Sequence, residues 1–85
     1  MEIVKLASDI ENQDFTYGMF AYDGTREDME DDMGWCGYKS FDSVYEDFSH
    51  LIKHWDHVEL FKERQRPDGT WEMLEMIKTG GRKEN

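Results

Sequence analysis

At 85 residues the chain can hold one domain and one modest core, too little for a cofactor domain beside a substrate domain, so binding is favoured over complex catalysis. Hydrophobic residues (38%) and aromatics (14%) supply enough apolar mass to fold. The 20 acidic residues against 10 basic ones, a net charge of −10, exclude nucleic acid and anionic membranes as good direct partners and favour a basic protein.

The N-terminus has no basic leader followed by an apolar run, and no apolar stretch approaches about 18 residues, so a soluble, unexported protein is expected. The single cysteine, Cys36, agrees with a reducing cytoplasm. Charge is unevenly spread. Residues 1–60 hold fifteen acids and four Lys or Arg, a net of −11, whereas residues 61–85 hold five acids and six bases, a net of +1.

In chain order, residues 2–8 (EIVKLAS) read as a short strand, and 11–14 (ENQD) as a turn. Residues 14–22 alternate, with Phe15, Tyr17, Met19 and Ala21 on one face, and read as a second strand pairing with the first in a hairpin. Asp23-Gly24 marks its end, since that pair suits a turn through positive φ. Residues 23–34 carry six carboxylates, Asp23, Glu27, Asp28, Glu30, Asp31 and Asp32, against one arginine and no strong apolar period, and are expected to form an exposed acidic loop. Residues 34–39 (GWCGYK) read as a short strand or an extended lead-in.

The clearest periodicity follows. Phe41, Val44, Tyr45, Phe48, Leu51, Ile52 and Trp55 recur at helical spacing, Ser40 is a natural N-cap, and Asp42 suits the first turn, so the pattern predicts a helix over 40–55. Residues 57–66 and 70–78 flank Pro67-Asp68-Gly69, the chemistry of a bulged type I hairpin. Pairing Arg66 with Thr70 would set Leu60 against Met76, Lys62 against Leu74 and Arg64 against Glu72, leaving Phe61, Trp71, Met73 and Ile77 on the other side of the ribbon. The Gly-rich end, 79–85, is expected to be a flexible tail beyond a single domain over 1–78. Together these elements predict an α+β fold, an antiparallel sheet of four or five strands in ββαββ order with the helix across one face.

Candidate sites compete with plainer explanations. The acidic run could imitate the phosphates of a nucleic acid, could bind a cation, or could simply solvate a small protein; it lacks the ligand spacing of an EF-hand. His50, His54 and His57 could share a helix surface and chelate a metal if the helix ran past Trp55, but basic residues late in a helix also suit its dipole, and no metal or cofactor is expected. Cys36 has no CxxC partner and no evident activating base, so no catalytic residue is assigned. Arg64, Arg66, Arg82 and Lys83 form a weakly basic end.

In size, acidity and lack of catalytic motif the chain resembles the small phage-encoded inhibitors that mimic nucleic acid, such as anti-restriction and anti-CRISPR proteins. That likeness of class implies a non-enzymatic inhibitor of a nucleic-acid-processing enzyme. Asp23, Glu27, Asp28, Glu30, Asp31 and Asp32 would form the partner-binding surface, with Glu46 and Asp47 as an extension and Trp35 as an anchor. The alternative is an adaptor or homodimer that binds through the apolar side of the 58–78 hairpin.

Overall fold

The computed structural model describes residues 15–84, and the strand expected over 2–8 lies outside them. The described chain runs β1 (Thr16–Gly24), β2 (Met29–Tyr38), one helix α1 (Phe41–Leu51), β3 (His57–Gln65) and β4 (Trp71–Gly80). The four strands form an antiparallel sheet in the order β2-β1-β3-β4, so the two sequence-local hairpins meet through β1 and β3. This is the expected α+β class in a ββαββ order, although the first hairpin is built from 16–24 and 29–38.

Alternation on β1 and β3 gives the sheet one apolar face. Met19 pairs with Leu60 and Ala21 with Val58. These four, with Val44 and Phe48 from the helix, are the buried core, and Tyr17, Trp35, Leu51, Ile52, Trp55 and Ile77 pack around it. Ser40 caps the helix as predicted, its Oγ accepting from the Ser43 amide at 3.1 Å. The helix is shorter than its apolar stripe. It ends at Leu51, and a turn through residues 52–54 leads into β3. Phe41 and Tyr45 therefore lie at the margin, 42% and 38% exposed, their rings stacked with centroids 5.5 Å apart.

The Pro67-Asp68-Gly69 turn forms as expected. Gly69 adopts φ +92, its amide donates to the Arg66 carbonyl at 2.9 Å, and Asp68 Oδ1 accepts from the Thr70 amide and hydroxyl. Those bonds hold the Asp68 carboxyl below the usual carboxylate range. The predicted register holds at Arg64 opposite Glu72 and at Glu63 opposite Met73, and fails from Lys62 onward. Two bulges in β4 each add a residue, so Lys62 meets Glu75 in place of Leu74, Phe61 meets Met76, and Leu60 meets Lys78 in place of Met76. Met76 thereby stands opposite Phe61, where the predicted register sets Glu75, and Ile77 leaves that side of the ribbon and turns to the core. A strict two-residue period cannot foresee an inserted residue.

The segment expected as a tail is fastened down over its described length. β4 continues to Gly80, the amides of Arg82 and Lys83 donate to the carbonyls of Trp55 and Asp56, and His57 Nδ1 lies 2.8 Å from Glu84 Oε2.

Candidate acidic interface on an edge strand

The acidic stretch is not a loop. Only residues 25–28 turn, closed by reciprocal amide–carbonyl bonds between Thr25 and Asp28, and from Met29 the chain is strand β2. Asp and Glu disfavour strands, but the propensity is overridden here because β1 supplies a full ladder of backbone partners along one side. β2 is an outer strand, so its side chains can stay in water on both faces, and no apolar period is needed to hold it. Residues 34–38 continue the same strand.

Five of the six predicted carboxylates form one exposed series. Glu27 and Asp28 sit in the turn and Glu30, Asp31 and Asp32 follow on the strand, all exposed. A strand advances about 3.4 Å per residue, which is also the axial spacing of charges on one strand of B-form DNA. The register sets Asp32 beside Tyr22 on one face and Asp31 beside Asp23 on the other, so the charges project to both sides of the edge. The one arginine of the stretch does not neutralise them: Arg26 pairs with Glu59 and lies over the Tyr22 ring at 5.5 Å.

Asp23 departs from the group. Its Oδ1 accepts from the Asp56 amide at 2.9 Å and from Arg82 at 3.3 Å, while Asp56 accepts from the Gly24 amide at 3.1 Å and from Arg82 at 2.8 Å. The Gly24 amide and then the Arg82 guanidinium hold the Asp56 carboxyl below its usual range. Asp23 is therefore a structural clasp at the base of the acidic turn.

Glu46 and Asp47 are exposed on the helix, but near the far end of β2. Asp47 accepts from the Tyr38 hydroxyl at 2.5 Å, and burial together with this bond and charge pushes the Tyr38 phenol up to about 12. Asp32 and Tyr38 are six positions apart in sequence, or about 20 Å of strand. Between them lie Met33, Gly34, Trp35, Cys36 and Gly37, all uncharged, and an open hollow of about 290 Å³ is lined by residues 35–38. The acids thus form a main group and a separate smaller one. Trp35 is half-buried with its ring edge-on to Trp55 at 6.4 Å, so it belongs to the core margin and is not a free anchor.

The histidines do not converge. The helix stops before His54, and His57 opens β3 stacked on Tyr22 at 4.8 Å. Among the described residues no group of His, Cys, Asp or Glu is arranged to hold a metal ion. Sequence reasoning also missed Glu63. It is 5% exposed under β1, where Gly18 leaves the room a side chain would fill, since a Cβ there would come within 2.7 Å of the Glu63 carboxyl. Burial raises its pKa, opposed by the Gly37 amide, which donates to Oε2 at 3.2 Å. The only sequence signal for this carboxylate is the pair of glycines around it.

No helix among the described residues is long and apolar enough to cross a membrane. The chain matches no family model, no curated protein and no solved structure.

Proposed function

We propose that this protein is a non-enzymatic inhibitor whose acidic β2 edge occupies the basic nucleic-acid-binding surface of a cytoplasmic enzyme, with enzymes of the restriction or CRISPR kind the first to test. The single observation that carries this reading is the exposed run of Glu27 and Asp28 in the turn and Glu30, Asp31 and Asp32 on the outer strand that follows, the strand charges advancing at a spacing close to that of a phosphate row. Extended backbone holds the three strand charges in fixed relation, and the reciprocal Thr25–Asp28 bonds close the turn that carries the other two. Long-range attraction speeds the encounter with a Lys/Arg-lined channel, and the uncharged hollow at residues 35–38 offers room for a partner side chain between the two acidic groups.

The test is retention of a partner from nuclease-treated cytoplasmic extract by the tagged protein, washed at rising salt and challenged with DNA or RNA. A nucleic-acid enzyme held at low salt, released at high salt and displaced by nucleic acid is the expected result. A partner that resists both treatments, or one equally well held after the five acids are changed to amides, would overturn the reading.

A further inference from the structure

The β3–β4 hairpin separates its side chains in an unusual way. The charges of β4 and their partners face the helix side: Lys62 lies 3.4 Å from Glu75 and Arg64 3.6 Å from Glu72, and Lys78 lies over the Tyr45 ring at 5.4 Å. The opposite face carries Trp71, Met73 and Met76, which are 39%, 54% and 41% exposed, beside half-buried Phe61. The register places these side by side, since Met76 pairs with Phe61 and Met73 with Glu63, whose carboxylate is itself buried. From Trp71 to the Phe61–Met76 pair this face therefore presents an apolar band without an exposed charge, bounded beyond Phe61 by the Glu59–Arg26 pair, and no described helix or strand lies over it. Strand addition along β4 is disfavoured by its two bulges, so the band binds through its face.

We infer that this band is a self-association surface, the Trp71, Met73 and Met76 side of the hairpin packing on the same side of a second copy about a two-fold axis. Charge decides the occupant. A basic partner finds nothing to pair with on the band and is drawn to β2, three strands away, or about 14 Å. A second copy meets it with an equally uncharged patch from the part of the chain whose net charge is +1, and keeps the strongly acidic β2 edges beyond a screening length of about 8 Å. Four apolar side chains per copy, Phe61, Trp71, Met73 and Met76, are few beside the roughly 20–30 residues a side of stable complexes, so the dimer is concentration-dependent.

Sedimentation velocity of the full chain between about 1 μM and 1 mM tests this, covering the range of weak association. Mass is expected to rise from one chain toward two and to do so at high salt as well as low. The double variant Met73→Lys/Met76→Lys should weaken association at least tenfold, while Met33→Lys, at a 51% exposed position on β2, should leave it unchanged. A circular-dichroism melt verifies that each variant is folded. A chain monomeric throughout overturns the inference, and Trp71, Met73 and Met76 protected from oxidative labelling, read residue by residue in that monomer, would assign the band to the chain's own remaining residues. Dimerisation insensitive to Met73 and Met76 overturns it equally. Because the β2 acids are untouched, capture of the basic partner is read independently.

Discussion

β2 and β4 are the two outer strands of one sheet, ten residues each and both largely exposed, yet they are equipped in opposite ways. β2 is dressed in carboxylates on both sides, which repel another strand while attracting a cation-rich surface. β4 sends its charges to one side in ion pairs, exposes apolar groups on the other, and interrupts its edge with two bulges. Both are recognised devices against unwanted strand pairing, charge in one case and irregularity in the other. The difference teaches that edge protection and binding chemistry can be the same feature. The charges that keep β2 solitary are the ones proposed to bind, and the bulges that spoil β4 are what bring Met76 outward.

The comparison supposes that both edges hang on one core. Leu60 is fully buried on β3, which joins the two hairpins, so Leu60→Ala should cost about 2–5 kcal/mol and melt both edges in a single transition. Two separate transitions, followed by tryptophan fluorescence and far-ultraviolet dichroism, would break the picture of a shared core. Next in size is amide replacement of Glu27, Asp28, Glu30, Asp31 and Asp32. It should lower affinity for a basic partner on the order of a hundredfold at low salt, with stability unchanged or improved by relief of repulsion along the strand. Lost stability would show that these acids hold the edge in place.

The smallest effect sharpens the contrast between surface and buried carboxylates. Burial raises the Glu63 pKa, so the folded state holds that proton more tightly than the unfolded chain does. Its contribution to stability is complete below the ordinary value of 4.5 and is lost as pH rises from there through the raised folded value. Glu63→Gln keeps an acceptor for the Gly37 amide and removes that titration. Relative to the native chain the variant should gain stability across this window, with a difference that stays level on either side and a higher melting point above the window than below it. Parallel stability profiles would remove Glu63 from the account.

The helix and the second hairpin were legible because each carries its own local signal, a 3.6-residue apolar stripe after a serine cap and a Pro-Asp-Gly corner. β2 was hidden because outer-strand residues answer to a neighbour distant in sequence: nothing within Met29–Asp32 indicates that β1 will supply its hydrogen bonds. The same holds for the site. The acidic run was visible as composition, but the removal of Asp23 depends on Arg82, and the distance between Asp32 and Asp47 depends on the direction of β2. Trp35 looked like an anchor until Trp55 came against it.

The Arg82 clasp bears on how the protein assembles in time. Each hairpin can close from neighbouring residues, but Asp23 and Arg82 are 59 positions apart, and their contact must wait until β1 has docked on β3. Formed late, such a contact governs departure from the native state more than arrival. Arg82→Ala should therefore unfold on the order of threefold faster in stopped-flow denaturant jumps while refolding at nearly the native rate. The last few residues of the chain then set how long the finished protein lasts, and have little part in how quickly it is made.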